Sequence, residues 1–430
     1  MELYLKQNKI MDKLRGKRLL LLGGGTWKEA IKRIADEHGI TLIATGNDKS
    51  GGIFSIADEG YNVNSIDASA MKTLIKSKNI DGVYMGGSET VISAASNYLN
   101  ELGLPCYCNK EQWELLQNKA KFKQLCISSG LPVVPQYNIN LNDIKGSVPS
   151  DAYPVITKPT DGCGSNGFSI CRNANELVEG YKKAAADSPT QSVICEKFVK
   201  NTGVVVFYTF SNGKVIFSGL EDKYPVKFEN HGSYVGGLFT FESKYTKEYR
   251  SRFDTSVEKM FQSIGIKEGS AWIEIFHDGD NFYFNEVGFR YGGSISIYPV
   301  DYLTGINQVA SDIYYALTGE SKVYGHISLI SENIERGYHY AVYPVYAGVG
   351  TITKIEGLEN LGDNVVFKTI TKPIGYEVQD LGSFNQNVAI VQFVYEDKND
   401  LKLSLDKIHD NLRVLDEQGN NMVLRMLYDI

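Results

Sequence analysis

No stretch of this chain approaches the ~18 uncharged apolar residues that a membrane-spanning helix needs, so no membrane partner is expected. The first residues, MELYLKQNKIMDKLRGKR, hold no apolar run long enough for a secretory signal. They read as a short amphipathic helix. Cysteine is scarce and unpatterned: six residues, at 106, 108, 126, 163, 171 and 195, without CxxC spacing. With no signal ahead of them, they predict reduced thiols in a cytoplasmic protein. Cys106-x-Cys108 has no His–Cys company, which argues against a metal there. There is little charge excess: −7 overall. That speaks against a broad polyanion-binding surface, and so against nucleic acid, but leaves room for one basic pocket. Repeats and low-complexity tracts are missing too.

Two phosphate-binding signatures come close and fail. After Gly23-Gly24-Gly25, a dinucleotide fingerprint would need glycine where Lys28 stands. Gly162 to Ser169 approaches the G-x-x-x-x-G-K-[ST] loop, but Phe168 occupies the lysine position. This loop also joins two strands, where the P-loop joins a strand to a helix.

What is present begins with length: 430 residues, 43% hydrophobic and 22% charged, enough for two to four packed domains. The most informative stretch is 270–293, SAWIEIFHDGDNFYFNEVGFRYGG. It reads as two apolar strands around a turn supplied by Asp278, Gly279, Asp280 and Asn281. Each strand carries one carboxylate, Glu274 and Glu286. A loop with an odd number of residues, such as 279–281, sets them opposite each other on one face. Two like charges that close repel unless a cation separates them, and oxygen ligands suit Mg²⁺. Arg290 could reach the same face and meet an anion with its planar fork. The competing reading is a plain hairpin with solvated glutamates.

Before the hairpin, residues 1–115 alternate strand and helix: a strand at Arg18–Leu22, a helix to His38, a strand at Ile40–Thr45, a helix at Ala70–Lys78, a strand at Gly82–Met85, and a helix at Glu89–Leu102 stopped by Gly103. That order implies a parallel sheet covered on both faces, with ligands at the strands' carboxyl ends. Gly86-Gly87-Ser88-Glu89 sits at such an end. Glu89 either caps its helix or faces a substrate.

Residues 116–330 supply further polar features. Lys119 heads a helix, and Lys158 ends a strand before the Gly/Ser loop 160–167. Glycine N–H groups, Ser165 and Lys158 would suit a phosphate; a flexible hairpin is the alternative. Val193–Val199 is a strand that turns polar at Glu196-Lys197, a shape suited to an adenine edge. A polar loop is expected over 222–241, with His231 as a candidate base or an ordinary loop histidine. After Arg290, Gly292 and Gly293 open toward a helix near 300–317, where backbone N–H groups could take a carboxylate.

In this order, the βα units, Lys119, Lys158, the glycine loop, EKFV, the Glu274/Glu286 pair and R-x-G-G resemble the ATP-grasp superfamily. That superfamily includes L-amino-acid ligases, biotin carboxylase and the carbamoyl phosphate synthetase large chain. The resemblance spans nearly the whole chain. It implies a multidomain α/β and α+β fold: an N-terminal parallel βα domain (1–115), a two-lobed ATP-binding region (116–330, lobes 116–192 and 193–330) and a small C-terminal α+β domain (331–430). It also implies ATP with Mg²⁺ (or Mn²⁺). Lys119, Lys158, Gly164, Ser165 and Gly167 would hold phosphates, and Glu196, Lys197 and Val199 adenine. Glu274 and Glu286 would hold metal. Lys158 and Arg290 would be catalytic, with Glu89, His231, Gly292 and Gly293 toward substrate. The implied activity is an ADP-forming carboxylate–amine (or thiol) ligase working through an acyl phosphate. A kinase of a small acid and a non-catalytic ATP-binding protein are the alternatives. The implied partners are small-molecule acids and amines, with a homodimer contact as one use of the C-terminal part.

Two departures matter. Val204 and Val206 stand where the family often has a ribose-binding Glu or His, so no ribose contact is expected there. The family also usually places a metal-binding Asn two residues after the second Glu; here stands Gly288. Asn285 is expected to point to the opposite face, as neighbours in a strand do. Beyond 338, short strands and a closing helix over Leu401–Leu415 are expected, without a catalytic constellation.

Overall fold

The computed structural model describes residues 13–23, 25, 27–47, 52–160, 167–199, 202–228, 231, 234–293, 295–324 and 339–425. The amphipathic helix expected at the start therefore lies largely outside the described residues.

The N-terminal strands β1 (Arg18–Leu22), β2 (Thr41–Thr45), β3 (Glu59–Tyr61) and β4 (Gly82–Tyr84) form a parallel sheet in the order β3-β2-β1-β4. Leu19 to Leu22 are all buried, as a strand covered on both faces requires. Helices α1 (Lys28–His38), α2 (Ala68–Ser77) and α3 (Glu89–Leu102) alternate with these strands. Gly39 and Gly103 end α1 and α3 at φ 66° and 68°, the left-handed conformation that glycine adopts without strain.

Helices α4 (Lys110–Gln117) and α5 (Lys119–Ser128) lead to a small antiparallel sheet. It consists of β5 (Val155–Pro159), β6 (Ser169–Cys171) and β7 (Val193–Lys197), ordered β6-β5-β7. Helix α6 (Ala174–Ala186) packs on it through Leu177, Gly180 and Ala184.

The largest sheet has eight strands. They are β8 (Thr202–Ser211), β9 (Lys214–Lys227), β10 (Tyr234–Phe241), β11 (Gly269–His277), β12 (Phe282–Gly288), β13 (His339–Tyr346), β14 (Val365–Ile370) and β15 (Asn387–Tyr395), in the order β12-β11-β8-β9-β10-β13-β15-β14. The C-terminal strands thus extend the central sheet through β10 and β13, where Phe239 faces Val342. Long helix α7 (Thr246–Ser263) buries Tyr249, Phe253, Val257, Met260 and Phe261 in the core beneath β8, β11 and β12.

Three expectations need correction. The polar loop expected over 222–241 is mostly strand, because β9 continues to Lys227 and β10 begins at Tyr234. The helix expected near 300–317 is two helices, α8 (Ile297–Thr304) and α9 (Gln308–Thr318), broken at left-handed Gly305. The closing helix α10 (Lys398–Asn411) stops before Leu412, and Arg413–Leu415 returns as a strand. Among the described residues, no helix is long and apolar enough to cross a membrane.

Candidate active site

Glu274 of β11 pairs directly with Glu286 of β12. The route to that register is not the expected one. His277 pairs with Phe282, so the turn holds the four residues 278–281. Asp278 closes it, accepting from the N–H of Asp280 at 3.1 Å and of Asn281 at 2.8 Å. Left regular, that turn would set Glu274 opposite Asn285. A β-bulge intervenes: Ile275 pairs with Phe284 but Glu274 with Glu286, leaving Asn285 as the extra residue.

The bulge also overturns the expectation that Asn285 faces away. Its amide donates to Glu274 Oε2 at 2.8 Å, and its oxygen accepts from Lys158 Nζ at 3.3 Å. Gly288 pairs with Trp272, and a Cβ at 288 would collide with the indole ring. No side chain fits at 288 while Trp272 stays where it is.

Three lysines converge on this group. Lys119, at the head of α5, places Nζ 3.4 Å from Glu286 Oε2. Lys223 of β9 lies opposite Gly203, and Gly203 opposite Phe276. Lys223 therefore shares the face of Glu274 and reaches it at 2.8 Å, over a position that has no side chain. Burial opposes ionisation of Glu274, but the Lys223 charge and the hydrogen bonds from Lys223 and Asn285 prevail and hold its carboxyl below the usual range. In return Glu274 raises Lys223 against burial.

Lys158, on β5, donates to Glu196 Oε2 at 2.8 Å. Glu196 also binds Lys123 and accepts from Gln136 Nε2 at 3.1 Å. The side chains of Lys123 and Glu196 are each 1% exposed. Burial and the neighbouring Lys158 charge push the Lys123 ammonium down, and burial, then Lys119, pulls Lys158 down against the opposing pull of Glu286. The Glu196 carboxylate is thus a buried counter-ion for two lysines, and the N–H groups that follow it are already used: Lys197 donates to Pro135 O at 2.9 Å and Phe198 to Pro154 O at 3.0 Å. Lys197 and Phe198 line a cleft of about 390 Å³ together with Tyr137, Tyr153 and Pro154.

Arg290 lies beyond the glutamates. Its Nη2 binds Glu89 Oε1 at 2.8 Å, its Nη1 donates to Tyr291 O at 2.9 Å, and its guanidinium lies over the Trp272 ring, 5.5 Å from the centroid. Its buried Nε has no hydrogen-bond partner, nor has the indole Nε1 of Trp272. Glu89, from the N-terminal sheet's α3, is therefore brought to the central sheet's edge. The N–H of Gly292 donates to Ser296 Oγ at 3.1 Å, and Gly293 is exposed. His231 Nε2 is 2.7 Å from Asp380 of the C-terminal segment. Gly167 adopts a left-handed φ of 74°, while Gly164 and Ser165 lie outside the described residues. Val199 lies just past the end of β7.

Lys123, Lys223, Asn285 and Trp272 were not anticipated as site residues. Lys123 had a signal: it follows Lys119 by four and so shares a helix face with it. Asn285 had none, because only the bulge lets adjacent residues 285 and 286 share one face.

As to metal, no group of three His, Cys, Asp or Glu side chains gathers among the described residues. The two paired carboxylates with an amide between them fit a hard divalent ion that takes its remaining ligands from phosphate and water.

Residues 118–207 match the family described as carbamoyl-phosphate synthase L chain, ATP binding domain. A formate-dependent phosphoribosylglycinamide formyltransferase of Sulfurisphaera tokodaii is 26% identical over 188 residues, 43% of this chain. That alignment spans only 47% of the relative, about half its length. The L-amino acid ligase of Bacillus licheniformis superposes with a TM-score of 0.73 at 19% identity, covering 94% of this chain and 99% of that one. The biotin carboxylase domain of Hydrogenobacter thermophilus 2-oxoglutarate carboxylase, solved with MgADP and bicarbonate, gives 0.72 at 20% identity, covering 96% and 91%. The chain has the ATP-grasp fold, and the segment carrying Lys119, Lys158 and Glu196 is the one that matches an ATP-binding domain.

Proposed function

We propose that this protein is an ADP-forming ATP-dependent ligase that joins a carboxylate to an amine or thiol. The observation that carries this reading is the Glu274/Glu286 pair, held in register by a bulge and ringed by Lys119, Lys158 and Lys223. Two acids and three cations on one sheet edge suit a triphosphate with a divalent ion. Mg²⁺, held by Glu274 and Glu286, would neutralise phosphate charge and polarise the transferred group. The solved relative that carries MgADP supports the same use of the fold.

In this reading, Lys119 and Lys158 exchange their carboxylate partners for ATP phosphate oxygens. Gly164, Ser165 and Gly167 close over the phosphates, and the strand end at Glu196, Lys197 and Val199 borders the adenine. The acid's oxygen attacks the γ-phosphorus and ADP leaves, giving an acyl phosphate. The nucleophile then attacks the acyl carbon, and inorganic phosphate departs with the C–O electron pair. Catalysis is mostly positioning and charge neutralisation. Arg290, tied down by Glu89 and Trp272, faces the developing oxyanion. Glu89, His231, Gly292 and Gly293 border the substrates, with the Gly292 N–H first giving up Ser296.

Incubation of Mg-ATP with amino acids in pairs tests this. Phosphate release is expected only when acid and nucleophile are both present, and ¹⁸O from a labelled carboxylate is expected in the released phosphate. A stable phosphorylated acid formed without any nucleophile would instead make the protein a kinase.

A further inference from the structure

The side chain that Gly288 lacks has a structural replacement three residues earlier. Gly288 cannot carry a ligand, since Trp272 fills the space its Cβ would need. Asn285 is 4% exposed and lies between the two features that matter most, with Nδ2 on Glu274 and Oδ1 toward Lys158. In a regular hairpin Asn285 would face Glu274 and its neighbour Glu286 would point to the opposite face. The bulge inserts one residue at that position, and it restores the Glu274–Glu286 pairing at the same time. One irregularity therefore accounts for both the carboxylate pair and the amide beside it.

We propose that Asn285, through its side-chain oxygen, is the third protein ligand to the divalent ion held by Glu274 and Glu286. This rests on the reading of the site as a metal–nucleotide site. The atoms allow it. An amide has one acceptor oxygen and one donor nitrogen. The nitrogen is spent orienting Glu274, which fixes the rotamer and leaves the oxygen aimed at the lysine side of the site. Lys158 holds that oxygen only loosely, at 3.3 Å, and has the stronger partner Glu196 at 2.8 Å. When a triphosphate draws Lys158 toward its own oxygens, the Asn285 oxygen is left facing the space between phosphate and carboxylates. Nitrogen bonded to one ligand and oxygen serving as another is the arrangement that fixes a small octahedral ion.

The test is Mn²⁺ binding, followed by electron paramagnetic resonance, to the full chain with a non-hydrolysable ATP analogue. The proteins are wild type, Asn285→Ala, Asn285→Asp and Glu286→Gln, each checked for native thermal melting. Asn285→Ala is expected to weaken Mn²⁺ about tenfold, with analogue binding in the absence of metal unchanged. Asn285→Asp keeps an oxygen at the position and is expected to bind Mn²⁺ at least as tightly as wild type. If both variants weaken equally, Asn285 acts only by orienting Glu274 and the proposal fails. If Asn285→Ala matches wild type while Glu286→Gln loses the metal, the proposal also fails and the site reading stands. If wild type itself holds no Mn²⁺ with the analogue, the site reading falls and the proposal with it.

Discussion

Glu196 is the residue on which the cationic side of the site depends. Buried ion pairs add little net stability when intact, but removing one partner strands a charge in a medium that solvates it poorly. Here one carboxylate serves two ammonium groups, Lys123 and Lys158. Glu196→Gln keeps the shape and the contact from Gln136 but takes away the carboxylate that Lys123 binds directly. We expect a loss of about 3–5 kcal/mol in urea unfolding. Lys123→Met in the same background should recover most of it, because the stranded ammonium is then gone. Equal stability of Glu196→Gln and wild type would mean that the two lysines are discharged in the native state. The sequence showed Lys158 and Glu196 as separate features of a strand end. It could not show that they are partners, because the contact joins β5 to β7 and the third member comes from α5.

At the scale of elements, the hairpin β11–β12 shows what a sequence conveys and what it withholds. The alternation of apolar residues, the Asp-Gly turn and the two glutamates were all legible, and the Glu274–Glu286 pairing was expected. An odd-numbered loop is not what produces it. The loop is even and the offset comes from the bulge at Asn285, which no periodicity announces. The same mechanism explains why Gly288 looked like a defect. It is the cross-strand partner of Trp272, whose ring occupies the face beside the carboxylates. An asparagine at 288 should therefore not fit. Gly288→Asn is expected to destabilise by about 1–3 kcal/mol through overpacking, and adding Trp272→Gly should relieve part of that loss. Chemical denaturation of the two single variants and the double variant measures the coupling. A neutral Gly288→Asn would show that the indole moves aside freely.

Across the whole molecule, the site is assembled from parts far apart in the chain. Glu89 comes from helix α3 beside the N-terminal sheet, Lys119 and Lys123 from helix α5, Lys158 and Glu196 from the small sheet, and the remaining groups from the large sheet and the loop after it. Strand and helix order made much of this architecture readable, since Glu89 and Lys119 sit at helix heads and Lys158 and Glu196 near strand ends. The continuity of the central sheet into the C-terminal strands was not readable, because pairing between β10 and β13 spans almost a hundred residues of sequence. Nor was the lysine of β9, which lay within an expected loop. The overall charge of −7 and the local crowd of cations are compatible because each lysine is paired with an acid.

The most direct test of the proposed exchange of carboxylate partners for phosphate oxygens is isothermal titration of wild type and Glu286→Gln with a non-hydrolysable ATP analogue, with and without Mg²⁺. Saturable binding by wild type that tightens with Mg²⁺, and an analogue affinity in Glu286→Gln that no longer responds to the metal, is the predicted result. No binding by wild type at millimolar analogue, or the same response to Mg²⁺ in both proteins, would contradict it.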